Sequence, residues 1–279
     1  PSGLVRFFDA RRLRLSQLAA SSAEQQHCSM TTWLLLRGLV RETRHWGDFP
    51  ARFSDALGQA DIITLDLPGN GRLHAQRSPS SIAALTEACR QQLQQRGVQP
   101  PYQIVALSLG AMLACDWSTR HAQEISRAVL INTSLRPFSP FYQRLRPRNY
   151  AALAGLLLYG NDLPARERLI LQLTSNYAPP PGLLDDWLSY ARQCPIQTAN
   201  ALRQLIAAMR YRASRLAPAA DLLLLCGAAD RLVNPRCSEA LARQWQAPLY
   251  RHPDAGHDLP LDAPDWVVAQ VCRWLREPR

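Results

Sequence analysis

The feature that most constrains this chain is an alternation. Short, largely apolar runs recur at Trp33 to Leu36, Asp61 to Leu65, Tyr102 to Leu107, Ala128 to Ile131, Asp221 to Cys226 and Pro248 to Arg251, with longer helix-forming stretches between them. Successive side chains of a strand point to opposite sides, so a strand that is apolar at consecutive positions has both faces covered. Such strands, alternating with helices of about 10 to 15 residues, predict a parallel sheet with helices on both faces, an α/β fold.

The alternation stops between Ser134 and about Pro218, where nine prolines punctuate what reads as four short helices. Leu184, Trp187, Leu188 and Ala191, and then Leu202, Leu205, Ile206 and Met209, each follow the i, i+3, i+4, i+7 spacing of one helix face. An all-helical insertion between two sheet strands reads as a cap. The expected organisation is a core of residues 30–133 and 218–279, a helical cap at 134–217, and an N-terminal extension at 1–29 that lies outside the functional core. That extension has arginines followed by leucine and alanine, the charge order of a signal peptide, but its apolar centre is short and broken by Gln and Ser. Met30 stands directly before the first strand-like run.

At 279 residues and 47% hydrophobic composition, the chain can bury roughly 70 to 75% of its unfolded surface, which excludes a disordered chain or a small disulfide scaffold. No apolar run approaches the roughly 18 to 20 residues of a transmembrane helix, so none is predicted. Seven cysteines, at 28, 89, 115, 194, 226, 237 and 272, form no CxxC pair and no zinc-spaced cluster with histidine. They read as reduced thiols of a cytoplasmic protein, with no metal site.

Every one of the 32 basic residues is arginine, and the net charge is +10. Residues 134–217 hold eleven arginines against four carboxylates, a surplus of seven, while the sheet-forming part is nearly neutral. This concentration admits two readings, a funnel for an anionic substrate or partner and a solvated arginine surface. Nucleic acid is not an expected partner, because no nucleic-acid motif is present and a capped sheet offers no groove-reading helix.

Three segments carry chemistry. After the third run comes Ala106-Leu107-Ser108-Leu109-Gly110 and then a helix-forming stretch. A serine on a sharp strand-to-helix turn exposes its hydroxyl, and the residues two before and two after it must be small. Asp230, in Gly227-Ala228-Ala229-Asp230-Arg231-Leu232-Val233, lies beyond the carboxyl end of the fifth run, and His257, in Ala255-Gly256-His257, follows the sixth. Open α/β sheets keep their functional groups at that edge. A serine hydroxyl becomes a competent nucleophile when an imidazole takes its proton, and a carboxylate holds that imidazole in the right tautomer. Where some triads take an acid from the preceding strand end, this chain reads Ile131-Asn132-Thr133, without a carboxylate. His252, before Pro253, reads as structural, and His27, His45, His74 and His121 as surface or packing residues.

With these residues in view, the sequence resembles the α/β-hydrolase superfamily over nearly all of 31–279. Trp33 to Leu39 is similar to the family's first oxyanion-hole segment, and Asp66-Leu67-Pro68-Gly69-Asn70-Gly71 to its D-x-P-G-x-G turn. The resemblance implies Ser108 as nucleophile, Asp230 as acid, His257 as base, and the backbone N–H groups of Leu39 and Leu109 as oxyanion donors. Two positions depart from the family pattern. Ala106 replaces the first glycine of the elbow, and Arg37 replaces a histidine. Arg37 is expected either to provide a different hydrogen-bonding solution or, with Arg41 or Arg44, to bind a negative group on the substrate. Phe138, Phe141 and Tyr142, just after the fourth run, are expected to line an acyl pocket. The implied activity is cleavage of a carboxylic ester or thioester through an acyl-enzyme, without metal or organic cofactor, on a small acyl substrate that the arginine surplus suggests is anionic. Acyl transfer to an acceptor other than water and a non-catalytic small-molecule receptor are the alternatives, since fold does not fix function.

Overall fold

A computed structural model describes residues 32–158 and 162–277. The N-terminal extension read from the sequence therefore lies outside the described residues. Among those described, six strands form one sheet: β1 (Trp33–Leu36), β2 (Ile62–Leu65), β3 (Tyr102–Leu107), β4 (Ile125–Ile131), β5 (Asp221–Gly227) and β6 (Leu249–His252). Their order is β2-β1-β3-β4-β5-β6 and every pairing is parallel. β4 starts three residues before the apolar run that announced it, because Ser126 and Arg127 interrupt the hydrophobic signal while the backbone still pairs with β3.

The helices that complete the core are α1 (Phe49–Ala56), α2 (Ile82–Gln95), α3 (Leu109–Arg120), and, after β5, α9 (Arg236–Trp245), α10 (Leu259–Asp262) and α11 (Pro264–Arg276). The sheet distributes its residues between two cores by strict alternation. Leu34, Ile104, Leu130 and Leu224 face α2, α3 and α9, while Leu35, Val105, Val129 and Leu223 face α1 and α11. All eight are at most 1% exposed, and burying each is worth about 1.5–3 kcal/mol. Because β2 and β3 lie on opposite sides of β1, the chain reverses direction across the sheet at β1 and β3. The crevice at that switch point, beyond the carboxyl ends of the strands, is where sheets of this kind carry their sites.

Between β4 and β5 lie α4 (Phe141–Arg144), α5 (Tyr150–Leu158), α6 (Leu163–Thr174), α7 (Leu183–Gln193) and α8 (Thr198–Arg210), one more helix than the spacing predicts. The apolar face of α7 is inward as expected, with Trp187 and Leu188 buried. In α8 the expected polarity is reversed. Asn200, Gln204 and Ala207 are buried, whereas Leu202, Ile206 and Met209 are exposed. The reason is that α8 lies on the core through its small Ala207 and on loop backbone through Asn200 and Gln204, and unpaired buried backbone groups require hydrogen-bonding partners. Asn200 accepts from Ser78 N–H at 3.0 Å and donates to Gln76 O at 2.9 Å. It sits so close to Gly69 that a Cβ there would lie 2.9 Å from its Nδ2. No helix among the described residues is long and apolar enough to cross a membrane.

Candidate active site

Ser108 occupies the turn between β3 and α3 with φ 56° and ψ −109°. A non-glycine residue in such a region costs about 1–3 kcal/mol and persists only where its surroundings impose it. Here Ser108 N–H donates to Ile131 O at 2.9 Å, and the Ser108 carbonyl accepts from Thr133 Oγ1 at 3.3 Å and Ala111 N–H at 3.1 Å. The small flanking residues have distinct jobs. A Cβ at Gly110 would lie 2.5 Å from Leu36 O and 2.8 Å from Arg37 O, so this glycine is what lets α3 start against β1. Ala106 is fully buried with its methyl accommodated, so glycine is not needed on that side of the turn.

Beside the serine, neither Leu39 N–H nor Leu109 N–H donates to another described residue. Leu109 is the first residue of α3, where the backbone N–H has no partner within the helix. The following N–H, that of Val40 (φ 52°), is taken by Gln204 Oε1 at 3.1 Å. Gln204, fully buried on α8, also donates to Asn70 Oδ1 at 2.8 Å and Pro68 O at 3.3 Å, and Asn70 Nδ2 donates to Arg41 O at 2.9 Å. One side chain from α8 thus fastens the β1 loop to the loop after β2. The sequence reading did not single out Gln204, because the helical spacing of the apolar residues of α8 does not say which face is covered.

Asp230 Oδ2 lies 2.7 Å from His257 Nδ1, and both side chains are buried. Asp230 Oδ1 accepts from the N–H groups of Leu232 at 2.7 Å and Val233 at 2.9 Å, which fixes the carboxylate. An ionised carboxylate only accepts, so Nδ1 carries the proton and Nε2 of neutral His257 is an acceptor. Burial by itself would lower the His257 pKa, but the charge of Asp230 and its hydrogen bond outweigh burial, and the pKa is raised. The loops carrying these groups are joined through Asn132 (φ 46°), at the position where the sequence offered no acid. Its Nδ2 donates to His257 O at 2.7 Å and Gly256 O at 3.1 Å, and its Oδ1 accepts from Gly227 N–H at 3.0 Å. Gly227 must be glycine, since a Cβ would lie 2.2 Å from Ala255 O.

Of the two roles expected for Arg37, its contacts are those of the hydrogen-bonding one. Its Nη1 and Nη2 donate to Asp258 Oδ1 and Oδ2 at 3.0 and 2.5 Å, its guanidinium lies over Trp46 at 4.9 Å, and both charged partners are buried. The pair spans from the end of β1 to the residue after His257. Arg41 is likewise held by Glu167 at 2.6 Å over Trp187, and Arg44 by Glu42 over Tyr190. Phe138 packs edge-on against Trp245 at 5.5 Å, in the core beneath α9. Phe141 and Tyr142 are exposed and lie edge-to-face against each other at 5.6 Å, so they do not form the enclosed wall expected of an acyl pocket. His252 accepts from Ala255 N–H and packs between Tyr177 and Trp266, in keeping with its structural reading. A cleft of about 350 Å³, lined by Pro218, Asp221, Trp245 and Pro248, lies at the opposite, amino-terminal edge of β5 and β6. It shares no residue with the constellation around Ser108.

No curated protein matches the chain in sequence. Solved structures with this fold include an esterase from Thermogutta terrifontis, 20% identical with a TM-score of 0.69 and covering 88% of this chain and 89% of the other. A hydrolase from Pseudomonas aeruginosa is 19% identical with a TM-score of 0.67, covering 90% and 91%. An esterase from Exiguobacterium antarcticum is 13% identical with a TM-score of 0.69, covering 88% and 92%. A sequence model of the Alpha/beta hydrolase family matches residues 33–270, and with that match spanning the whole sheet the chain belongs to the α/β-hydrolase family.

Proposed function

We propose that the protein is a serine hydrolase that cleaves a carboxylic ester or thioester through an acyl-enzyme on Ser108. The observation that carries this reading is the 2.7 Å contact between Asp230 and His257, with the second Asp230 oxygen held by two backbone N–H groups. That arrangement leaves Nε2 of His257 as the proton acceptor on the sheet edge where the strained Ser108 turn lies. In the reaction, His257 takes the Ser108 proton as Oγ adds to the acyl carbon. The oxyanion is received by Leu39 and Leu109 N–H, each worth about 2.7–4 kcal/mol of barrier. The protonated imidazole then gives its proton to the departing alcohol or thiol, and in the second half His257 deprotonates the water that releases the acid. This chemistry requires neither metal nor organic cofactor. Residues 134–217 act as a helical cap whose inner side supports the oxyanion loop through Gln204. Because Arg37, Arg41 and Arg44 are all paired with carboxylates, they give the acyl group no charge preference. The free thiols at Cys89, Cys115, Cys194, Cys226, Cys237 and Cys272 support a cytoplasmic setting.

The test is labelling by a fluorophosphonate probe together with turnover of a p-nitrophenyl ester and an acyl thioester. The wild type should be labelled and active, and Ser108→Ala should lose both, with activity down roughly 10⁴-fold or more. Labelling that survives in Ser108→Ala would overturn the assignment of the nucleophile. Labelling of the wild type without turnover of either substrate in water, but with turnover when an alcohol or thiol acceptor is added, would favour acyl transfer.

A further inference from the structure

The outer face of α8 is open to solvent in part, and its composition is the inverse of what an exposed helix face normally carries. Leu202, Ile206 and Met209 are 40, 37 and 60% exposed, at i, i+4 and i+7, and so form one stripe along the 13-residue helix. A helix of that length is about 20 Å long. Contiguous exposed apolar surface of this kind marks an interaction site. Arg203 and Arg210 follow Leu202 and Met209 by one residue, which places both along one border of the stripe, and α8 contains no Asp or Glu. Beyond its carboxyl end are the exposed Arg212 and Arg136. Arg136 donates to Met209 O at 3.3 Å, which fixes it at that end of the stripe. None of these four arginines forms an ion pair with a carboxylate among the described residues, in contrast to Arg37, Arg41 and Arg44, although Arg203 is half-buried and also donates to Asn200 Oδ1 at 3.3 Å.

We propose that the outer face of α8 docks on an anionic phospholipid surface. An amphipathic helix with large apolar residues on one face and arginine along its border lies in the plane of a bilayer interface, its apolar residues below the headgroups and its cations among the phosphates. The arginines without a carboxylate partner, the exposed Arg210, Arg212 and Arg136 foremost, supply the charge complementarity, and the polar inner face, held by Asn200 and Gln204, keeps the helix seated on the protein while its outer face is engaged. The inference concerns a surface away from Ser108 and does not depend on the reaction assigned to that residue.

The experiment is co-sedimentation of the 279-residue chain with vesicles of phosphatidylcholine alone and of equimolar phosphatidylcholine and phosphatidylglycerol. Its companions are a L202S/I206S/M209S variant and a R203Q/R210Q variant, both checked for a wild-type melting transition. Binding is expected only to the anionic vesicles, weakening as salt is raised. The neutralised pair should lower the partition coefficient by about fivefold per arginine, and the serine variant by an order of magnitude or more. Equal binding to both vesicle types, no binding to either, or binding unchanged in the serine variant overturns the proposal. Sedimentation velocity supplies the remaining arms. A dimer that the serine variant converts to monomer would assign the stripe to a second copy. Vesicle binding that appears only after removal of residues 1–31 would assign it to the chain's own N-terminal segment. Either result would replace the lipid surface as occupant.

Discussion

Replacing Gln204 by leucine tests whether α8 sets the oxyanion geometry. The side chain is fully buried and makes three hydrogen bonds, accepting from Val40 N–H and donating to Asn70 Oδ1 and Pro68 O. Leucine has similar volume, so the change leaves three polar groups unpaired without opening a large cavity. Each buried orphan costs about 1–3 kcal/mol, which sets the loss of folding stability at about 3–6 kcal/mol after partial relaxation. The functional effect is a separate quantity. Val40 is the residue after Leu39, the proposed donor, and once its N–H is released the Leu39 N–H is no longer aimed by a fixed neighbour. Full loss of one oxyanion donor costs about 2.7–4 kcal/mol, so kcat on a small ester should fall by about 10² to 10³ with KM nearly unchanged. Gln204→Glu keeps the acceptor for Val40 N–H but loses the donor to Asn70 Oδ1 and Pro68 O, so this variant should be destabilised as well yet retain more kcat than Gln204→Leu. The assay is steady-state hydrolysis beside urea unfolding for the three proteins. The reasoning is refuted if Gln204→Leu loses stability but keeps kcat within about threefold of wild type, because Gln204 would then only hold the fold together.

Arg37→Leu strands the buried Asp258 carboxylate and should cost about 3–5 kcal/mol by urea unfolding, whereas Arg37→Leu with Asp258→Leu should recover most of the loss; a single variant as stable as wild type would mean the pair contributes nothing. Gly110→Ala forces a Cβ to within 2.5 Å of Leu36 O and should lower the unfolding midpoint and abolish probe labelling, while Ala106→Gly should cost about 1 kcal/mol and remain labelled. In the pH profile, kcat/KM should fall as pH drops through the His257 pKa, because the base must be neutral. Burial alone would put that pKa below the ordinary imidazole value and Asp230 raises it above, so in Asp230→Asn the acid limb should move to lower pH, on a much reduced plateau. A limb that stays in place would exclude Asp230 as the partner. The same raised pKa means that protonated His257 adds stability below the unfolded-state pKa, and that this contribution is lost as pH rises through the folded value.

The sheet was legible in the sequence because a strand covered on both faces has to be apolar at consecutive positions, and this pattern is local. β1 and β3 begin and end where their apolar runs do, while the polar start of β4 and the last residues of β5 and β6, Gly227 and His252, lay outside the runs. The Ser108 turn was legible because the small residues it requires stand within five positions of one another, although what crowds Gly110 is the distant backbone of Leu36 and Arg37. The chain order of Ser108, Asp230 and His257, each after a strand, also stood in the sequence, but the approach of Asp230 to His257 across 27 residues is a product of the parallel β5–β6 pairing and of Asn132, which bonds both loops. The partners of Arg37 and Gln204 were decided by tertiary structure alone. Arg37 meets Asp258 from 221 residues away, and no local pattern separates an arginine that binds substrate from one that is buried against a carboxylate. On α8 the helical period was correctly read, yet the period does not say which side is covered. Hydrophobicity would have buried Leu202, Ile206 and Met209, but much of the surface beneath the helix is loop backbone, and its N–H and carbonyl groups select Asn200 and Gln204 as the residues that face them.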